Sequence, residues 1–400
     1  MKFKNKGRKI YKTKEKNYYG KSPVGKAFSI GLTLLLVGGI FFIGFSVAGP
    51  LINYYSKKTG DTVTTTSPVF EEEVVTDENG EQIVQEDTTA AAPFVIERFK
   101  AFSLNTADLT DSSTLKSALK RVPADGKIEY IEVPLKVSGG EIYYATNNYY
   151  ATSSGIVNGS MRAKDIASAI SSAGYKPVAL VSTFDDSVVP MYFQNMSYLA
   201  YVDGTLWIDN SLEAGGRPWM NPFSEAAVNY NADIVDEITS AGFDRIVCSD
   251  FVFPDFRQSD IEFLGDKYAA SDRYMALTSA ANLMYDKAMH NNSKMLLEVN
   301  ASDILRGKKD VLQPMLLKVN TVVLNIDLDA ISYGVYTADT VYEFSGTPAE
   351  NVKKMLDLLG EDLDEFNVAV RVSGSAAGVQ ELLDAKDEIV ECGYDSYVIG

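Results

Sequence analysis

Residues 219–256 read WMNPFSEAAVNYNADIVDEITSAGFDRIVCSDFVFPDF. Two patterns meet here. Ser224–Ala241 carries apolar residues at helical spacing, entered through Asn221-Pro222 and left at Gly242, residue types that suit the two ends of a helix. Arg245–Asp250 follows as a continuous apolar run rather than an alternating one. A strand that is apolar on both faces is covered on both faces, as in a parallel sheet flanked by helices.

The same unit repeats outward. Further strand-like runs occur at Lys100–Leu104, Ile128–Val133, Pro177–Ser182, Met295–Val299, Val322–Asp327, Val368–Val372 and Ser396–Ile399. Helical stretches lie between them at Ser113–Val122, Arg162–Ala173, Asp272–His290, Pro348–Leu359 and Ala376–Cys392. Thr347-Pro348 opens one of these and Gly360 is expected to close it. Eight strands alternating with helices predict an α/β fold, a (β/α)8 TIM-type barrel over residues 95–400. An open doubly wound sheet would favour a glycine-rich phosphate loop after the first strand, and Ser103-Leu104-Asn105-Thr106 offers none. No eighth helix follows the last run.

The first part of the chain has a different composition. Residues 1–26 hold ten Lys or Arg against one acid, Glu15, while the whole chain carries −17, which leaves −26 for residues 27–400. Phe28–Ala48 is apolar and uncharged, long enough to cross a hydrocarbon core of about 30 Å as a helix. A basic flank beside such a stretch stays cytoplasmic. The expected organisation is a basic cytoplasmic tail (1–26), a transmembrane helix (27–55), an acidic Thr-rich stalk (56–94) and an extracellular barrel (95–400). The competing reading is a signal peptide cleaved at Ser46-Val47-Ala48, but the apolar run exceeds a usual h-region. Both readings place the barrel outside. The stalk is too poor in apolar residues to fold alone. Within it, Asn79-Gly80 in Glu73–Gln85 is a hairpin signal.

Scarce residues exclude chemistry. The one histidine, His290, sits near the end of an expected helix with no triad pattern around it. Two cysteines, Cys248 and Cys392, are too few for a disulfide framework. Cys248 reads as a buried thiol, with a Cys248–Cys392 disulfide left open. No cofactor signature or metal-ligand loop of known spacing is present. The acidity of the outer domain argues against nucleic acid as a partner. The expected partners are a carbohydrate and, through the N-terminal helix, a lipid bilayer.

Barrel active sites lie at the C-terminal ends of the strands. There the sequence offers Glu132, Asp250, Glu298, Asn300, Asp327 and Arg371. A carboxylate-rich rim without histidine suits glycoside hydrolysis, in which one acid protonates the leaving oxygen and another acts as nucleophile or base. Asp250 and Glu298 are the candidate catalytic pair, and Glu132, Asn300, Asp327 and Arg371 are candidate substrate contacts. Aromatic residues follow the same strands: Tyr143, Tyr144, Tyr149 and Tyr150, then Trp207 and Trp219, then Phe251, Phe253 and Phe256. Their flat apolar faces suit sugar rings, although any single ring more commonly packs a loop. Trp207, Trp219 and Phe251 join the candidate substrate contacts.

Trp219-Met220-Asn221-Pro222-Phe223, Gly242-Phe243-Asp244 and the strand ending at Asp250 resemble the bacterial "putative glycosyl hydrolase" domain family. Asp203-Gly204-Thr205-Leu206-Trp207 resembles that family's Asp-Gly-x-Leu-Trp segment. Glu298 and Glu132 fall where the family shows acids on strands five and two. The resemblance implies a barrel of the α-amylase type with glycosidase activity. Three departures concern cations. The family arginine after strand four is absent from Phe251-Val252-Phe253-Pro254. Leu180 replaces an arginine on strand three. Pro134 replaces the basic residue after the strand-two acid. Losing cationic partners raises carboxylate pKa values. Three functions therefore stand: a membrane-anchored extracellular glycoside hydrolase acting on a polysaccharide or wall glycan, an inactive barrel that binds surface carbohydrate or organises an envelope complex, and a divalent-metal hydrolase using the acidic rim.

Overall fold

All eight apolar runs become strands, and they close on themselves. They are β1 (Lys100–Ser103), β2 (Tyr130–Lys136), β3 (Lys176–Ser182), β4 (Arg245–Ser249), β5 (Lys294–Asn300), β6 (Thr321–Asp327), β7 (Asn367–Ser373) and β8 (Tyr397–Ile399). Each pairs in parallel with its sequence neighbours, and β8 pairs with both β7 and β1. The structure is a computed structural model describing residues 75–76, 82–83, 98–265, 270–307, 319, 321–363, 367–374 and 378–400. It is a (β/α)8 barrel of the TIM type.

The principal helices are α1 (Ser112–Leu119), α2 (Ala163–Ser172), α3 (Glu225–Ser240), α4 (Ala270–His290), α5 (Pro348–Leu363) and α6 (Val379–Glu391). Local chemistry sets their starts. Asp111 accepts from the amides of Ser113 and Thr114 ahead of α1, and Ser224 accepts from the amide of Ala227 ahead of α3, as N-caps do. Asn221 is not the cap expected from Asn221-Pro222. It is buried, takes the amide of Phe223 and donates to the carbonyl of Ser197. Nor does Gly360 close α5. Leu359 and Leu363 are both buried, so the apolar face carries the helix past the glycine.

Side chains that alternate along each strand divide into two layers. One set faces the helices. The other fills the barrel as a small apolar storey of Ala101, Tyr130, Val178, Val247, Leu296, Val323, Ala369 and Val398. Strand β2 runs beyond the expected Val133 to Lys136. It passes through Pro134 with a register shift between Pro134 and Lys136, the kind of irregularity that lets proline sit within a sheet.

The chain divides into two units, Met1–Pro93 and Phe94–Gly400. In the first, Val75–Thr76 pairs antiparallel with Gln82–Ile83, on either side of Asn79-Gly80 in the sequence. The expected membrane segment Phe28–Ala48 lies outside the described residues. Among the described residues no helix is long and apolar enough to cross a membrane. Cys248 and Cys392 are both free, which closes the disulfide option. Burial pushes the Cys248 thiol up to about 12.

Candidate active site

Two residues beyond each member of the apolar storey, the same barrel face presents Ser103, Glu132, Leu180, Ser249, Glu298, Asn325, Arg371 and Gly400. Six of the eight carry polar side chains. The barrel therefore changes from apolar to polar one step below its C-terminal mouth.

Three of these residues form a charged triangle. Arg371 Nη1 lies 2.5 Å from Glu132 Oε1, and Nη2 lies 2.6 Å from Glu132 Oε2. Its Nε stands 2.6 Å from Glu298 Oε2 as an ion pair, off the line of a good hydrogen bond. Ser103 Oγ donates to Glu132 Oε1 at 3.0 Å. Glu132 has no exposed side-chain surface, Arg371 6% and Glu298 11%. Burial and the charges of Glu132 and Asp250 push the Glu298 carboxyl up to about 7, against the pull of Arg371. Burial alone would lower Arg371, but Glu132 and Glu298 hold it well above its ordinary value.

Asp250 directly follows β4 with φ of 54°, in the left-handed region that few non-glycine residues occupy. Ser249 Oγ donates to its Oδ2 at 3.2 Å. Burial raises its pKa, and Asp185 adds to the rise. Hydrogen bonds from Ser182 and Ser249, and the charge of Lys136, oppose it. Asp250 and Glu298 thus share one electrostatic environment, in which burial raises both carboxyls.

The remaining candidates divide. Asn300 accepts from Asn325 Nδ2 at 3.1 Å, and Ser373 Oγ donates to Asn325 Oδ1 at 2.8 Å, a polar chain across β5, β6 and β7. Asp327 accepts the amides of Asp329 and Ala330, both at 3.0 Å. That makes it the cap of a short helical turn. Trp207 is buried against Tyr198 and Phe256. Phe251 is buried edge-on to Phe184. Trp219 is half-buried, with Nε1 donating to Asp209. Tyr144 is buried, its hydroxyl donating to Glu237. These rings pack loops. His290 is the exposed last residue of α4, on the side from which β5 starts, away from the mouth.

The exposed aromatic rings of the described residues are Tyr149, Tyr192, Tyr201, Phe263, Tyr333 and Tyr336. Every one belongs to a connection that leaves the C-terminal end of a strand. Of these only Tyr149 is among the aromatic candidates named above, because exposure depends on how loops fold over one another. Two charged residues also escape it: Lys136 and Asp186, completely buried and 3.1 Å apart.

A family model described as "Putative glycosyl hydrolase domain" matches residues 102–302, half of the chain. The chain belongs to this family. The match runs from within β1 through β5 and so includes Glu132, Asp250 and Glu298, while Arg371 lies beyond it. No curated protein matches the chain. Among solved structures, the glycoside hydrolase domain of PgaB (BpsB) from Bordetella bronchiseptica is similar with a TM-score of 0.51 at 12% identity, over 76% of this chain and 94% of that one. An α-galactosidase from Thermus thermophilus reaches 0.46 at 13% identity, over 76% and 57%. A hypothetical protein from Ruminiclostridium thermocellum reaches 0.40 at 15%, over 49% and 96%. At these identities the likeness is one of fold.

Proposed function

We propose that this glycosyl hydrolase domain cleaves glycosidic bonds of a polysaccharide or wall glycan, with Asp250 and Glu298 as the reacting carboxyl pair. The observation that carries the proposal is Glu298. It sits at the barrel mouth on a buried arginine, with a pKa pushed up to about 7. A glycosidase acid must hold its proton near neutral pH while a second carboxylate acts on the sugar. Glu298 suits the acid, and Asp250 suits the nucleophile or base. Arg371, itself gripped by Glu132, holds Glu298 in place.

Polymeric substrate is supported by the exposed rings on the mouth side, which provide sugar-stacking area beyond a single site. The location is proposed from the charge asymmetry around Phe28–Ala48, which favours an N-terminus in the cytoplasm and the barrel outside. Surface proteolysis of intact cells, with N-terminal sequencing of the mature chain, tests that part.

The activity is tested by turnover on a panel of wall and capsular glycans. Wild type is expected to release reducing ends. Asp250→Asn and Glu298→Gln are each expected to lower kcat by about 10²–10⁴-fold, the scale of a lost acid or base. Unchanged turnover in either variant removes that residue from the chemistry. Binding without cleavage by wild type establishes the non-catalytic reading instead.

A further inference from the structure

Lys136 and Asp186 are completely buried, with Nζ 3.1 Å from Oδ2. Burying both charges is costly, and replacing such a pair by apolar residues of similar size is commonly neutral or stabilising. Stability therefore does not account for the pair. Its connections point elsewhere.

Lys136 Nζ also donates to the carbonyls of Ser182 at 2.9 Å and Thr183 at 3.4 Å, where the chain leaves β3. Thr183 in turn grips the end of β4. Its amide donates to the carbonyl of Ser249 at 3.0 Å. Its Oγ1 reaches the carbonyls of Ser249 at 2.8 Å and Asp250 at 3.1 Å. The amide of Phe184 adds a bond to the Asp250 carbonyl at 3.3 Å. Asp186 is clamped from its other side, because Oδ1 accepts the amides of Val188 and Val189. A side chain at Gly140 would come within 2.5 Å of Asp186 Oδ1, so the β2 loop closes over the pair only as glycine.

The endpoint of this chain of contacts is a strained residue. Among the described non-glycine residues, Lys127, Asp250 and Asn292 have positive φ. Lys127 and Asn292 lie in connections that lead into β2 and β5, on the opposite end of the barrel. Asp250 alone of the three sits at the mouth. A left-handed aspartate persists when its surroundings over-determine it, and Thr183 and Phe184 supply that constraint.

We propose that Lys136, paired with Asp186, is a positioning residue that acts through Ser182 and Thr183 to hold Asp250 left-handed and fix where its carboxyl points. The inference rests on the assignment of Asp250 to the reacting pair. Besides Lys136, the groups that bear on this carboxyl are Ser182, Asp185 and Ser249, and Asp250 in turn acts on Glu298. Lys136 is thus the cation opposing Asp185 on that side of the site.

The test compares wild type, the double variant Lys136→Met/Asp186→Leu and Thr183→Val. Each is measured by ¹³C-carboxyl NMR titration of Asp250, by the crystallographic φ of Asp250, and by kcat and KM on a cleaved glycan. The double variant is expected to stay folded, to titrate Asp250 at higher pH and to relax its φ. Its kcat is expected to fall by about 10–100-fold with KM within about twofold, since small misplacement of a reacting group acts on that scale. Thr183→Val is expected to move the same quantities in the same direction by less, and it carries the test if the double variant does not fold. A folded variant with the wild-type titration, φ and kcat overturns the proposal. If wild type cleaves no glycan, the hydrolase assignment fails, and the titration and φ still decide the positioning role.

Discussion

Arg371 meets Glu132 with both terminal nitrogens, Nη1 on Oε1 and Nη2 on Oε2, across an interval of 239 residues in the chain. The fork leaves Nε to face Glu298. A planar guanidinium can serve two carboxylates at once in this way, and an ammonium cannot. Arg371 from β7 thus meets the acids of β2 and β5 together.

Arg371→Met is expected to destabilise the barrel by about 3–5 kcal/mol, because it strands buried carboxylates without a counter-charge. Urea denaturation measures this. Arg371→Lys keeps a charge but loses the fork, and an intermediate loss is expected. A loss below about 1 kcal/mol for Arg371→Met would mean that the triangle is open to solvent.

Glu298 makes stability depend on pH. Its carboxyl is raised from the ordinary 4.5 to about 7 in the folded protein. The folded state therefore holds a proton that the unfolded chain has already released. The stabilisation is complete below about 4.5 and is lost as pH rises through about 7. Two to three pKa units correspond to about 3 kcal/mol. Glu298→Gln is expected to flatten this dependence, read as ΔG from urea curves at a series of pH values between 4 and 8. In turnover, the same proton sets a fall in activity above about pH 7. Parallel pH dependences for wild type and Glu298→Gln would contradict the raised value.

Asp250→Gly separates stability from function. Glycine adopts φ near 54° without strain, and the substitution also removes a carboxyl whose burial is unfavourable. Unfolding free energy is expected to rise by about 1 kcal/mol, seen as a higher Tm, while turnover disappears. A fall in Tm would show that the carboxyl contributes more through Ser249 than its backbone costs.

Tyr333→Ala and Tyr336→Ala test the reach of the substrate. Both rings are exposed on the connection after β6. Their loss is expected to raise KM for long glycan chains about 3–10-fold, since covering part of an aromatic side chain is worth about 1 kcal/mol. Short oligosaccharides are expected to be unaffected. Equal effects on both lengths would place these rings beside the reacting bond instead.

The barrel is legible in the sequence because its strands are buried on both faces, which writes each one as an unbroken apolar run. Asp250 and Glu298 are read as candidates for a related reason: one directly follows an apolar run, and the other interrupts Leu296-Leu297-Glu298-Val299. Lys136 is not. It lies beyond the expected strand end at Val133. Only the register shift in β2 and the turn through Asp186 bury it, and both are matters of non-local contact. Asp327 looks like a site acid from its place on β6, yet its neighbours Asp329 and Ala330 claim it as a cap. Trp207 and Phe251 look like sugar platforms until the loops after β3 and β4 pack on one another and cover them.

The Glu132–Arg371–Glu298 triangle also constrains how the barrel assembles. A one-residue slip of β7 would swing Arg371 from the interior to the helix layer, since strand side chains alternate between faces. Glu132 would then be buried with no cation. A two-residue slip would keep Arg371 inside but move it about 7 Å along the strand, off both carboxylates. The apolar storey cannot discriminate so sharply, because Val323, Ala369 and Val398 are close in size and chemistry. The charges thus act as a key for strand alignment, rejecting misregistered barrels that the hydrophobic layer alone would tolerate.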